Sequence, residues 1–258
     1  MDRKIVFFDL DGTVLDDYKK IPKSTKEAIF RLQENGIYTA IATGRGPSDM
    51  EWAARELNIN SYVAINGSYA IFEGKEIFLQ ALDQDEVLNL VDTVRKYEHS
   101  AAFMTHNDIW VLDENHPSIT SCTRALDLDY PKVEKNLHLD RPINQIVIYS
   151  EEEYDNFYKE AHPNLEFIRF HELGMDATDR RLSKAVGIRK MLEVGGFKIE
   201  NSYAFGDALN DMEMISYVGC GVAMGNAIDG LKEVADYITT SNMDDGIWKA
   251  CEKLGLFK

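Results

Sequence analysis

Apolar positions in this chain fall into short runs that end in charge. Ile5-Val6-Phe7-Phe8 is unbroken and stops at Asp9, which predicts a strand buried on both faces of a parallel sheet. Ser24-Thr25-Lys26-Glu27 has the capping-box pattern, and Ala28, Ile29 and Leu32 follow at helical spacing up to Gly36. A strand over 37–42, a second capping box at 48–51 that opens a helix, and a strand over 62–65 stopped by Asn66-Gly67 complete a β-α-β-α-β order. That order is the unit of a doubly wound α/β sheet with right-handed crossovers.

The pattern then changes. From Asp83 a helix carries Val87, Leu88, Val91 and Val94, strand-like runs follow at 109–112, 146–149 and 167–170, and 151–161 reads as helical, which together predict a separate α+β domain. Regular alternation resumes at Ser183. A helix to Glu193 ends at Gly195-Gly196, a strand over 203–205 runs into Gly206-Asp207, and a helix covers 209–217. Strands at 221–224 and 237–239 and a helix over 246–254 finish the chain. The order predicts a sheet domain over 1–82 and 183–258, interrupted by an inserted domain over 83–182.

Because strand side chains alternate with period two, Asp9 and Asp11 can project to one side, with Gly12 letting the chain turn away. Two converging carboxylates suggest a divalent metal or an acid/base dyad. Three strand ends carry polar clusters: Asp9-x-Asp11, Thr43-Gly44-Arg45 and Gly206-Asp207-x-x-Asn210-Asp211. All carboxyl ends of a parallel sheet lie at one edge. Hard oxygen ligands gathered there suit Mg²⁺, and Thr43 with the amides after it approaches a helix N-terminus, a natural seat for phosphate.

Charge narrows the partners. Lys and Arg total 28 against 44 Asp and Glu, a formal charge of −16, which argues against nucleic acid and against an acidic membrane surface. An anionic substrate therefore needs a local cation, and Lys184 can supply it. Cys122, Cys220 and Cys251 form no CxxC pair, the first residues run directly into a strand without an apolar export segment, and no run approaches the roughly 20 apolar residues of a membrane span, so a cytoplasmic location is expected. All six histidines fall in the insert without i, i+4 spacing, which disfavours a histidine metal site. Phe103, Trp110, Phe167 and Phe170 are expected in the insert's core; Arg124, Arg141, Arg169, Arg180 and Arg181 are candidate contacts for an anionic second group of the substrate.

These motifs together resemble the haloacid dehalogenase superfamily, and within it the Cof-type, type IIB phosphatases. Asp9-Leu10-Asp11-Gly12-Thr13 matches its DxDGT motif, Ala42-Thr43-Gly44-Arg45 the second motif, Lys184 the lysine motif, and Gly206-Asp207-Ala208-Leu209-Asn210-Asp211 the GDxxND motif. One departure is Ala185, where relatives usually have glycine after the lysine. The resemblance implies a Rossmann-like parallel-sheet core with an inserted α+β C2-type cap. It also implies hydrolysis of a small phosphorylated metabolite, with Asp9 as nucleophile and Asp11 as general acid/base. Mg²⁺ would be held by Asp9, the Asp11 backbone carbonyl and Asp207; Thr43, Gly44, Lys184 and Asn210 would bind the phosphate, and Asp211 would support the metal or Lys184 from behind. Arg45 has a weaker claim and stays outside the catalytic set. The same core also fits a phosphotransferase or phosphomutase, and a third reading is a non-catalytic sensor of a phosphorylated ligand.

Overall fold

The computed structural model describes residues 3–257. In chain order the first part of the sheet domain contains β1 (Ile5–Phe8), α1 (Lys23–Glu34), β2 (Tyr38–Ala42), α2 (Pro47–Glu56), β3 (Tyr62–Ala64), β4 (Tyr69–Phe72) and β5 (Lys75–Leu79). Next come α3 (Gln84–Lys96), β6 (Ser100–Met104), β7 (Ile109–Val111), α4 (Pro117–Ala125), β8 (Lys132–Val133), α5 (Leu137–Asp140), β9 (Gln145–Tyr149), α6 (Asp155–Ala161), β10 (Leu165–His171) and β11 (Gly174–Asp179). The chain then returns with α7 (Lys184–Gly195), β12 (Ser202–Gly206), α8 (Met212–Tyr217), β13 (Cys220–Ala223), α9 (Asp229–Val234), β14 (Tyr237–Ile238) and α10 (Gly246–Lys253). Two compact units result. One contains residues up to Arg45, Met50–Phe78 and the chain from Ser183 onward; the other contains Gly46–Asp49 and Leu79–Leu182.

The first unit is built on an eight-stranded sheet in the order β14-β13-β12-β1-β2-β3-β4-β5. β1 is central and pairs in parallel with β12 and β2. Its unbroken apolar run has a direct cause, because Val6 and Phe8 pack with Ala28, Ile29 and Leu32 of α1 and Ile247 of α10, while Ile5 and Phe7 pack on the opposite face with Ile188 and Met191 of α7 and Met214 of α8. With helices on both faces, no position in the strand can be polar until the sheet edge.

Local chemistry moves several element ends from where the sequence places them. α1 begins at Lys23, one residue before Ser24, with Pro22 at φ −59° in front of it and no side-chain cap bond, so the expected capping box does not form. Pro47 likewise starts α2 ahead of Ser48. A proline's fixed φ suits the entry to a helix, and it displaces the serine into the first turn. Beyond Asn66-Gly67 the chain adds an antiparallel strand, β4, paired with β3, and then β5 after a tight Glu73-Gly74 turn with φ of +48° and +76°. The sequence reading stops short of both strands. Gly67, at φ +98°, lies so close to the Ser183 carbonyl that a Cβ there would collide with it.

In the second unit a six-stranded sheet runs β10-β11-β9-β6-β7-β8, antiparallel except for the β7–β8 pair. The expected strands at 109–112, 146–149 and 167–170 overlap β7, β9 and β10, whereas β6, β8, β11 and α4 were not anticipated. On α3 the buried set is Val87, Leu90, Val91 and Val94, so Leu90 rather than Leu88 completes the stripe at i, i+3, i+4, i+7. Phe103, Trp110 and Phe167 are core residues, but Phe170 is 39% exposed. Arg169 is not available to an anion: it holds Asp155 through Nε and Nη2 and donates from Nη1 to the carbonyls of Ser150, His171 and Glu172. Arg180 and Arg181 pair with Glu166 and Asp179, and the Arg141 guanidinium lies over the Trp110 ring at 5.3 Å. His99 meets the Tyr158 hydroxyl and His162 the Thr93 hydroxyl.

Candidate active site

The motif residues collect at the carboxyl edge of the first unit's sheet, around the ends of β1, β2, β3 and β12. Asp9 directly follows β1 and its amide donates to the Phe205 carbonyl of β12, which extends the parallel pairing by one residue. Lys184 is the first residue of α7 and is fully buried, with Nζ 2.6 Å from Asp9 Oδ1 and 2.6 Å from Asp211 Oδ1. Asp211 is equally buried; its other oxygen accepts the backbone N–H groups of Asp207 and Ala208 at 2.9 and 3.0 Å. Both oxygens of Asp211 are thus engaged. The short turn from β12 into α8 folds this side chain back against Gly206, where a Cβ would stand 2.7 Å from the carboxylate, so the glycine of the motif is required by this close approach.

Asp207 faces the same point and accepts the Thr13 hydroxyl at 2.7 Å. Ligand oxygens of Asp9, Asp207 and Asp211 all lie within 4.8 Å of one another. Burial drives the ionisation of this group. It raises Asp9 well above the ordinary carboxylate range against the opposing charge of Lys184, and it lifts Asp207 to about 7 with help from the Asp211 charge. Burial alone would discharge Lys184, but Asp211 and Asp9 outweigh it and raise its pKa instead. One ammonium among three carboxylates, two of them buried and Asp207 half-buried, leaves excess negative charge, which a bound cation would neutralise. The site therefore fits a hard divalent cation on its donor set and on its charge. With Asp211 committed to Lys184 and two amides, Asp9 and Asp207 are the carboxylates open to such an ion, and the carboxylate of Asp11 is not in the group.

Asp11 sits in a different environment. Arg45 forks onto it, Nε to Oδ2 at 2.7 Å and Nη2 to Oδ1 at 2.8 Å, and Lys19 Nζ reaches Oδ1 at 2.9 Å. Burial acts to raise its pKa, but the Arg45 fork and the Lys19 charge outweigh it and hold the carboxyl down at about 2. Arg45, which the sequence reading leaves outside the catalytic set, is therefore the ion-pair partner of Asp11. Its position was readable, since it follows the end of β2, the strand adjacent to β1. Lys19 and Thr13 were also missed; Lys19 carries no motif signal, whereas Thr13 stood in plain view as the last residue of DxDGT.

Of the expected phosphate group, Thr43 is buried at the end of β2 and its hydroxyl accepts the Arg45 N–H at 3.1 Å. Gly44 lies against the Asn66 side chain. Asn210 Nδ2 donates to Asn66 Oδ1 at 3.0 Å, so Asn66, held in the left-handed region at φ 47°, links the loop after β2 to the loop after β12.

A family model of haloacid dehalogenase-like hydrolases matches residues 6–251. The chain belongs to this family. Within it the chain is a Cof-type phosphatase, a Rossmann-like parallel-sheet core with an inserted α+β cap. YkrA of Bacillus subtilis (strain 168) is 38% identical over 258 residues, 100% of both chains. The 5-amino-6-(5-phospho-D-ribitylamino)uracil phosphatase YcsE of the same organism is 31% identical over 97% of this chain and 95% of its own. Among solved structures, the HAD subclass IIB sugar phosphatase BT4131 superposes with a TM-score of 0.89 at 30% identity, covering 98% of this chain and 100% of that one. No helix among the described residues is long and apolar enough to cross a membrane.

Proposed function

We propose that this HAD hydrolase is a Mg²⁺-dependent phosphatase that removes the phosphate from a small metabolite, a sugar phosphate or cofactor monophosphate, through a phosphorylated Asp9. The observation that carries this reading is the buried Lys184 ammonium, 2.6 Å from Asp9, whose ligand oxygen lies within 4.8 Å of that of Asp207. Lys184 occupies Oδ1 of Asp9 and leaves Oδ2 to attack; with a cation offsetting the burial that raises its pKa Asp9 would be ionised, and an ionised carboxylate needs no base for that attack. As the Oδ2–P bond forms, the ester P–O bond breaks and Asp11 delivers a proton to the departing alkoxide; the negative charge of the bound phosphoryl group opposes Arg45 and Lys19, which hold Asp11 ionised in the empty site, and so raises its affinity for that proton. Asp11 then takes a proton from water, which attacks the aspartyl-phosphate, frees Asp9 and releases inorganic phosphate.

The Thr43 hydroxyl, the Gly44 amide, Lys184 and the Asn210 side-chain amide bind the phosphoryl oxygens. Asp211 keeps Lys184 aligned with Asp9. Asp9, the Asp11 backbone carbonyl and Asp207 are the groups that would hold Mg²⁺, whose role when bound is to offset the negative charge that carboxylate and phosphate bring together. The substrate class draws support from the sugar phosphatase BT4131 and the ribityl-phosphate phosphatase YcsE.

Asp9→Asn removes the nucleophile and should abolish p-nitrophenyl phosphate hydrolysis in Mg²⁺. Undiminished turnover by that variant overturns the mechanism. In a screen of phosphorylated metabolites, release of inorganic phosphate in step with ester loss is expected; transfer to a second metabolite instead of water would establish the phosphotransferase alternative.

A further inference from the structure

Three successive residues after β3 have left-handed backbone: Ile65 at φ +52°, Asn66 at +47° and Gly67 at +98°. Asparagine and glycine tolerate that region, but a β-branched residue is held there only where its surroundings enforce it. The enforcement is visible in two main-chain bonds, from the Ile65 N–H to the Arg45 carbonyl at 3.1 Å and from the Asn66 N–H to the Thr43 carbonyl at 3.2 Å. The turn is thereby laced to the loop after β2, on which Thr43 and Gly44 stand.

A peptide unit is planar and trans, so its C=O and N–H point in opposite directions. With the Thr43 carbonyl turned onto Asn66, the Gly44 N–H of the same unit is turned away from it, and it donates to no described group. The side chain of Asn66 does the same for a second donor. Its Oδ1 accepts one N–H of Asn210 Nδ2 at 3.0 Å, which sets the direction of the other N–H of that planar carboxamide, and this one also meets no acceptor among the described residues. Asn66 is itself 2% exposed, so packing fixes its position. One buried residue thus orients two open, uncharged donors carried by loops far apart in the sequence.

We propose that Asn66 is a positioning residue for phosphate: through the Thr43 carbonyl it aims the Gly44 N–H, and through its Oδ1 it aims the Asn210 amide, at the phosphoryl oxygens. The inference rests on the phosphatase reading above, with Gly44 and Asn210 as phosphate donors. Asn66 acts through these two groups and does not itself bind the phosphoryl group.

The test is a double-mutant cycle with two readouts, the dissociation constant of inorganic phosphate in Mg²⁺ by calorimetry and kcat/KM for p-nitrophenyl phosphate. Asn66→Gly keeps a backbone that accepts the left-handed region and removes only the side chain. It should weaken phosphate binding roughly fivefold, against roughly tenfold for Asn210→Ala, which loses the donor itself. In the Asn210→Ala background Asn66→Gly should produce no further loss, because its effect runs through the absent amide, whereas a merely structural defect would persist there. Asn66→Ala also resists the left-handed backbone, so in that background it should retain a loss of about threefold, through Gly44. Losses that multiply for Asn66→Gly and Asn210→Ala would make Asn66 a phosphate ligand in its own right and overturn the proposal, as would an Asn66→Gly protein indistinguishable from wild type. Equal behaviour of Asn66→Ala and Asn66→Gly in the Asn210→Ala background would overturn the Gly44 arm. If wild type binds phosphate but hydrolyses no ester, or Asp9→Asn is as active as wild type, the phosphatase reading fails, while the binding cycle still decides the role of Asn66.

Discussion

Two carboxylates two residues apart, Asp9 and Asp11, share one strand end and differ in almost everything else. Asp9 is buried among other carboxylates with a single ammonium, and its pKa is raised; Asp11 is partly open to solvent, grips an arginine fork and a lysine, and is held at about 2. The difference teaches that position along a strand assigns direction only, and that the number of cations within reach assigns protonation. On the Asp9 side the cation count is short, a deficit that a bound metal ion would make good. On the Asp11 side it is in excess, which prepares that side to hold a negative charge without one.

The largest effect expected from breaking this contrast is at Lys184. Lys184→Met leaves Asp9 and Asp211 buried without their counter-charge, so turnover should fall at least a thousandfold and urea unfolding should show a loss of about 3–5 kcal/mol, the usual cost of removing one partner of a buried pair. Unchanged unfolding would mean that the pair is not buried in solution. Arg45→Met tests the other side and should be gentler on stability, about 1–2 kcal/mol. Its sharper readout is the Asp11 carboxyl resonance, whose titration midpoint should climb from about 2 toward the ordinary range.

The two sides should also respond oppositely to pH in the metal-free protein. Asp207 is raised from 3.8 to about 7, so the folded state binds more protons between those values and its contribution to stability, full below pH 3.8, is lost as pH rises through 7. Asp11 is lowered from 3.8 to about 2, so its contribution is present above pH 3.8 and lost as pH falls through 2. Unfolding midpoints in EDTA should therefore decline from pH 4 to pH 8, and the stabilisation produced by added Mg²⁺ should grow over the same interval as the ligands lose their protons. A Mg²⁺ effect that is flat with pH would contradict the assignment of Asp207. The smallest effect is at Thr13, whose hydroxyl donates to Asp207. Thr13→Val should cost about 1 kcal/mol and weaken Mg²⁺ binding a few-fold by calorimetry, since the lost bond lowers the pKa of Asp207.

Much of this was legible in the chain because the sheet edge concentrates polar residues at strand ends. An apolar run that breaks at Asp9, and another that breaks at Gly206-Asp207, can only be buried strands with chemistry at one end. The residues that escaped were those whose role depends on partners remote in sequence. Arg45 reads as an ordinary surface cation until Asp11 is placed opposite it, and Lys19 depends on a turn organised by the Asp16 side chain. In the insert, β11 escaped because Gly174-Met-Asp-Ala-Thr-Asp179 mixes small and polar residues in a strand buried along its whole length, so neither periodicity nor hydropathy marks it, and β6 escaped because its apolar run, Ala101-Ala-Phe-Met104, is short and lacks β-branched residues. α1 was found for the right reason, its apolar stripe, but its start was misplaced by a proline.

The contact of Gly67 with the Ser183 carbonyl ties the residue that precedes Lys184 to a turn the chain has passed long before. Viewed as a polymer, the stretch between them is a closed loop whose closure is enforced inside the core. Each doubling of such a loop adds only about 0.6 kcal/mol of entropy cost. Segments of very different length and content can therefore occupy that excursion while the ammonium stays in register with Asp9, which lets one catalytic edge be inherited unchanged as its surroundings diversify.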